Sequence, residues 1–190
     1  MKSLVHACKF LLGLEAPFTQ VTDRELDCLL RHSRTAAVVV EIGCYEGKTT
    51  AALARHTSGS VYSIDPFFRG RLGICYGEWI ARIHCRRQRL NNVQFVKGFS
   101  YDVAQDFRDA IDFLFIDADH SYEAIKRDWE DWFPKVKTGG GVIALHDTRR
   151  AENSPDYFGS MKFYENDLKT MTGIREVDGI DSLAVFKHDR

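Results

Sequence analysis

Five short runs of apolar, largely β-branched residues punctuate the chain, at 37–42, 61–64, 93–96, 113–116 and 142–145. The stretches between them carry apolar residues at the three- and four-residue spacing of helices. Unbroken apolar strands, rather than alternating ones, are those covered by helices on both faces. The alternation therefore predicts an α/β protein with a doubly wound parallel sheet. Thr22-Asp23-Arg24-Glu25 has the form of a capping box, opening a helix that runs to about Ser33. After Ser121, the residues Tyr122, Ile125, Trp129, Trp132, Phe133 and Val136 form one stripe. Glu123, Lys126, Arg127, Asp128, Glu130 and Asp131 fill the rest, so that both tryptophans are expected in the core.

Beyond the fifth run the pattern changes. Residues 148–160 are polar and irregular, 161–171 read as a helix, and 174–187 resemble a hairpin turning at Asp178-Gly179. An antiparallel hairpin closing the parallel sheet predicts a mixed sheet of seven strands, unlike the six parallel strands of dinucleotide dehydrogenases.

Length and composition narrow this further. The 190 residues suit a single domain. Lys and Arg number 26 against 27 Asp and Glu, for a net charge of −1, so bulk charge argues for neither nucleic acid nor an anionic membrane as a partner. The five cysteines, at 8, 28, 44, 75 and 85, include no Cys-x-x-Cys pair, which fits a reduced intracellular chain. Residues 1–8 lack the apolar stretch of a signal peptide, and residues 10–14 are too few to span a bilayer. A cytoplasmic protein is expected.

The first strand runs into Glu41-Ile42-Gly43-Cys44-Tyr45-Glu46-Gly47-Lys48-Thr49-Thr50 and then the small-residue segment Ala51-Ala52-Leu53-Ala54. The glycines permit a tight turn, and a helix N-terminus offers unpaired amides to an anionic or carboxylate-bearing ligand. The spacing Gly-x-x-x-Gly lacks the dinucleotide fingerprint, and Ile42 stands where a phosphate-binding Walker loop requires glycine. Asp65 ends the second strand 22 residues after Gly43, near the offset at which an acidic side chain takes ribose hydroxyls. The alternative is that Asp65 caps the turn before Pro66.

Taken in order, 38–47, Ser63-Ile64-Asp65-Pro66, Val96-Lys97-Gly98-Phe99-Ser100, 115–120 and 139–147 resemble the motifs of class I S-adenosylmethionine-dependent methyltransferases. The flavour is that of small-molecule O-methyltransferases of the catechol, caffeoyl-CoA and macrocin or sugar type. The resemblance implies a Rossmann-like fold, with a helical arm over residues 1–36, a cofactor-binding core over 37–147, and an acceptor-side loop, helix and closing hairpin over 148–190. It also implies S-adenosyl-L-methionine as cofactor. Glu41, Gly43, Tyr45, Gly47 and Thr49 would surround its methionine part, and Asp65 its ribose. Pro66 and Phe67 would border the adenosine, Gly98, Phe99 and Ser100 would line the adenine, and Asp117 would complete the pocket. For Glu41, bracing of the loop is the competing reading, and for Phe67 and Phe99 it is core packing.

Asp117, Asp119 and His120 leave the fourth strand, and His146 and Asp147 leave the fifth, at the edge where open α/β sheets bind ligands. Methyl transfer to a hydroxyl needs positioning and removal of a proton, for which histidine is suited. Asp119, His120 and His146 are the catalytic candidates. In catechol-type relatives the positions matching Asp117, His146 and Asp147 hold a divalent metal. Here His-Asp stands where Asp-Asn or Asp-Asp is usual, which opens the identity of such a metal. The expected partner is a small-molecule acceptor, sugar-like or a natural-product intermediate, and the chain could pair with a second copy. Arg69, Arg71, Arg82, Arg86, Arg87, Arg89, Arg149 and Arg150 are read mainly as a solvated face. Two other functions stay open: a non-catalytic S-adenosylmethionine-binding module with a protein partner, and a metal-dependent oxygenase built on His120, His146 and an aspartate.

Overall fold

The computed structural model describes residues 2–70, 73–150 and 158–189; Arg71 and residues 151–157 of the polar stretch lie outside them. Helices α1 (Lys2–Leu11) and α2 (Asp23–Ser33) precede β1 (Val38–Ile42), which leads through α3 (Lys48–His56) to β2 (Ser60–Asp65). Next come α4 (Tyr76–Arg87), β3 (Val93–Lys97), α5 (Ser100–Asp106), β4 (Phe113–Ile116), α6 (Tyr122–Trp132) and β5 (Val142–Leu145). The chain closes with α7 (Gly159–Asn166), β6 (Ile174–Ile180) and β7 (Leu183–His188).

The seven strands lie in the order β3-β2-β1-β4-β5-β7-β6, with β1 to β5 parallel and β7 antiparallel to both its neighbours. Strand order reverses between β1 and β4, which opens a crevice at their carboxyl ends. The register pairs Ile42 with both Ile64 and Ile116, so the loops after β1, β2 and β4 leave the sheet level with one another.

Alternate residues of the strands feed two cores. Val40, Ile42, Leu114, Ile116 and Ile143 pack against Ile125, Trp129 and Trp132 of α6 and Phe163 of α7. On the other face Val39, Val61, Phe113 and Phe115 meet Cys28 and Leu29 of α2 and Leu53 of α3. Both tryptophans of α6 are buried, as the stripe predicts. The capping box also forms: Thr22 accepts from the Glu25 amide, and Glu25 from that of Thr22.

Two boundaries differ from the sequence pattern. The final hairpin turns at Asp181-Ser182, because Ile180 pairs with Leu183; Asp178-Gly179 lies inside β6, beside a register shift between Glu176 and Asp178. Asp181 takes the turn's left-handed conformation (φ 51°), which aspartate tolerates through local side-chain bonding. The expected helix over 161–171 instead starts at Gly159, ends at Asn166, and is followed by a 3₁₀ turn at Leu168–Thr170.

The N-terminal segment is fastened to α4. Arg87 donates to the carbonyls of Phe10 (3.0 Å) and Leu11 (2.7 Å), while Ala7 and Phe10 pack on Ile80. From there the chain returns toward the mouth of the crevice. The ring of His6 stacks on Phe18 (centroids 3.9 Å apart) and bonds Glu15 (2.6 Å) and Glu46 (2.9 Å). All five cysteines are free thiols. Among the described residues no helix is long and apolar enough to cross a membrane.

Candidate active site

The crevice over β1, β2 and β4 is a cavity of about 1000 Å³. Its floor is the turn after β1. Gly43 has φ +95°, and a Cβ there would lie 1.9 Å from the Asp117 carbonyl oxygen, so only glycine lets the β1 and β4 loops approach this closely. Gly47 caps α3 (φ +73°) and abuts Ala81 rather than the cavity. Glu41, Gly43, Tyr45 and Thr49 line the cavity floor.

Glu41 is buried and accepts hydrogen bonds from the hydroxyls of Thr50 and Ser63 on one oxygen. Burial pushes its pKa up to about 8, against those two bonds. Its other oxygen, Oε1, has no partner in the protein and belongs to a residue that lines the cavity. Glu41 thus braces the loop and leaves one buried carboxyl oxygen unpaired beside the cavity.

Asp65 caps the turn after β2 and also lines the cavity. One carboxylate oxygen accepts from the amides of Cys44 (2.9 Å) and Tyr45 (3.3 Å), the other from that of Phe67 (2.7 Å). A carboxylate has about four acceptor positions, so roughly one remains for a ligand in the cavity that Asp65 lines. Pro66 lines it as well, but Phe67 does not. The Phe67 side chain is buried against Cys44 and Ala81, and the next residue, Phe68 (72% exposed), faces the cavity instead. Phe99 and Ser100 line the cavity, whereas Gly98 lies outside it. Phe68, Phe99 and Tyr101 form a ladder of rings, with centroids 5.8 and 5.1 Å apart. Arg127 caps it, 3.7 Å above the Tyr101 ring.

At the opposite wall stand Asp117, Asp119 and His120. Asp119 accepts from the Ser121 amide (2.8 Å), which holds its pKa below the ordinary value and steadies the start of α6. The His120 ring is half-buried against Phe158, with Nε2 3.5 Å from Asp147 Oδ2. His146 and Asp147 are not among the cavity's walls. His146 is buried behind them, its Nδ1 3.1 Å from Asp117 Oδ1 and 3.3 Å from Asp147 Oδ2, and its Nε2 3.2 Å from Glu25 Oε2. Burial opposes charge on this ring, but Asp117, Asp147 and Glu25 outweigh it and push its pKa up to about 12. The ring is walled in by these three carboxylates and does not line the cavity.

Several residues of the site carry no motif. Phe18 and Thr19 reach the cavity from the N-terminal segment, and Glu25 reaches His146 from a helix cap. Asp128 lines the cavity, is buried, and accepts from the Ser100 hydroxyl; burial raises its pKa to about 6. One signal for Asp128 was available: it falls on the buried stripe of α6, three residues after Ile125 and four before Trp132.

A family described as a methyltransferase domain matches residues 40–148, from the third residue of β1 to just past β5. The chain belongs to this methyltransferase family. An uncharacterized protein of Acanthamoeba polyphaga mimivirus is 28% identical over 114 residues, covering 55% of this chain and 48% of that protein. The chain thus spans about half the length of that curated relative. Among solved structures, the cofactor-bound protein Rv0187 from MTB superposes with a TM-score of 0.75 at 20% identity, covering 99% of this chain and 90% of that one. An O-methyltransferase from Bacillus cereus in complex with SAH gives 0.71 at 22% identity over 99% and 91% of the two chains. The O-methyltransferase TomG from Streptomyces achromogenes, in complex with SAM, gives 0.70 at 16% over 100% and 91%. At these identities the likeness establishes a shared fold. The glycine turn, the Asp65 carboxylate and the polar edge of β4 thus line one cavity, with His146 and Asp147 behind it.

Proposed function

We propose that this methyltransferase moves a methyl group from S-adenosyl-L-methionine to an oxygen of a small-molecule acceptor, and that residues 1–190 act as one domain. The observation that carries the reading is that His120 stands in the same cavity as the Gly43 turn and Asp65. Nucleoside-binding and proton-accepting groups thus face one space. The SAM and SAH held by the two O-methyltransferases of this fold support the donor. When bound, S-adenosyl-L-methionine supplies a methyl group on a sulfonium, which is transferred with loss of the thioether.

The chain's own part is placement and proton removal. Asp65 holds the loop amides in position and takes a ribose hydroxyl with its remaining acceptor position. The cationic amino group of the methionine part favours ionised Glu41, whose buried Oε1 accepts from it. Phe68 and Phe99 cover the adenine, with Ser100 at its edge. With the His120 Nε2–H directed to Asp147, Nδ1 takes the proton of the acceptor hydroxyl as the new C–O bond forms. Phe18 and Thr19 cover the mouth and exclude water.

The group Asp117, His146 and Asp147 fits a divalent metal. The three donor atoms lie within 4.8 Å of one another, and His146 Nδ1 is buried between two carboxylate oxygens without a well-directed hydrogen bond. Glu25 on Nε2 is the outer carboxylate that metal-bound histidines commonly carry. A bound metal would favour the deprotonated acceptor oxygen. Among the described residues this cluster holds one histidine, which disfavours an oxygenase built on two. The free cysteines support a cytoplasmic setting, the balanced charge argues against nucleic acid, and the exposed Leu4, Leu12 and Leu14 offer an apolar face to a second copy.

Calorimetric titration with S-adenosylhomocysteine tests the cofactor, with NADH as comparator and EDTA-treated and metal-supplemented samples in parallel. Micromolar binding of the first alone, near −8 kcal/mol, is expected. Absence of binding in every sample would refute it, and binding without turnover on a broad hydroxyl-acceptor panel would favour a non-catalytic module.

A further inference from the structure

Further along α2 from the capping box, Cys28 and His32 stand one helical turn apart, and α2 packs against β6. Asp178 meets them from just beyond the register shift in β6. Its Oδ2 lies 3.5 Å from Cys28 Sγ, 3.0 Å from His32 Nε2 and 2.9 Å from an Arg31 guanidinium nitrogen. Oδ1 is held separately by the Gly179 amide at 2.8 Å. Three donors thus converge on one oxygen that has about two lone-pair positions. The thiol, imidazole and carboxylate atoms all lie within 4.8 Å of one another. Tetrahedral zinc, with bonds of about 2.0–2.3 Å, separates its ligand atoms by about 3.3–3.8 Å. The two spacings to Asp178 Oδ2, 3.5 and 3.0 Å, are close to those of such ligands.

We propose that Cys28, His32 and Asp178 form a zinc-binding site that clasps α2 to β6, separate from the polar edge of β4 and β5. The donor set selects the metal: thiolate with imidazole suits Zn(II), whereas magnesium and calcium prefer oxygen donors. Charge balances as well. One thiolate and one carboxylate neutralise the dication, and His32 stays neutral. Arg31, whose side chain is 62% exposed, competes for Asp178 and swings to solvent when the metal enters. Burial and Asp178 hold the Cys28 thiol protonated, with a pKa pushed up to about 11, so metal binding releases that proton. His32 and Asp178 are half-buried, leaving the fourth position open to water.

The test is titration of chelator-stripped, full-length protein with Co(II), followed by displacement with Zn(II). A near-ultraviolet thiolate-to-cobalt charge-transfer band that rises to saturation is expected, with release of the thiol proton and loss of the band on adding zinc. Cys28→Ser should abolish the band. His32→Ala and Asp178→Asn, both at half-buried positions, should weaken zinc binding by more than the ~10–100-fold that losing an outer-shell partner costs. Asp147→Asn should leave the band in place, since it alters the other cluster. No thiolate band in the wild type, or an undiminished band in Cys28→Ser, would overturn the proposal. Should Cys28→Ser not fold, unchanged zinc affinity in His32→Ala and Asp178→Asn would do so.

Discussion

Replacing Gly43 by alanine probes the point where the fold and the site share one atom's worth of space. The backbone there has φ +95°, a conformation that costs a non-glycine residue about 1–3 kcal/mol. The new methyl would also lie 1.9 Å from the Asp117 carbonyl oxygen and 2.7 Å from its carbon. The β4 loop must therefore retreat by more than an ångström, and such overpacking adds about 1–3 kcal/mol. The sum, about 2–6 kcal/mol, falls on a turn tied by Gly43 N to Ile64 O (2.9 Å) and by Asp117 N to Ile42 O (2.8 Å). Urea unfolding should show that loss. Calorimetry should show S-adenosylhomocysteine affinity reduced about 30-fold or more, the equivalent of ~2 kcal/mol. Gly173→Ala is the control: its φ is +84°, but nothing lies within 4 Å of the added carbon, so it should show only the backbone cost. If Gly43→Ala lost no more stability than Gly173→Ala and bound the ligand normally, the close approach of the two loops would be refuted as the glycine's reason.

Asp65→Ala removes the acceptor of three loop amides and should lower S-adenosylhomocysteine affinity at least about tenfold, or ~1.4 kcal/mol; unchanged affinity in the same titration would contradict its place in the pocket. His120→Ala should keep that affinity and lose about 10²–10⁴ in kcat, read from single-turnover methyl transfer; full activity would remove it from the chemistry. For Glu25, burial works to raise its pKa, but His146, the Thr22 amide and Ser182 outweigh it and lower it from 4.5 to about 2. The stability it supplies, roughly 3 kcal/mol, is full above pH ~4.5 and is lost as pH falls toward ~2. Urea titrations of Glu25→Gln should show lower stability at pH 7 and a flatter acid limb; an acid limb as steep as wild type would exclude this pairing.

Whatever depends on neighbours along the chain was legible in the sequence. The apolar runs, the α6 stripe and the capping box are local patterns, since backbone hydrogen bonding and one-sided burial impose their periods directly on sequence. The glycine turn and Asp65 were legible as well, because they sit at set offsets from β1. Contacts between distant segments were not. Nothing in one sequence says that Phe18 lines the cavity, or that Phe68 rather than Phe67 does: a left-handed residue at Phe67 (φ 46°) decides which ring turns inward. The final turn was missed for a related reason, since a register shift absorbs Asp178-Gly179 into β6. Above all, His146 reads as a base at the strand edge, and only tertiary packing encloses it among Asp117, Asp147 and Glu25, the last 121 residues away in sequence. Sequence sets which groups can form strands, caps and turns; the folded chain sets which charges share a low-dielectric space, and that sharing determines their protonation and their work.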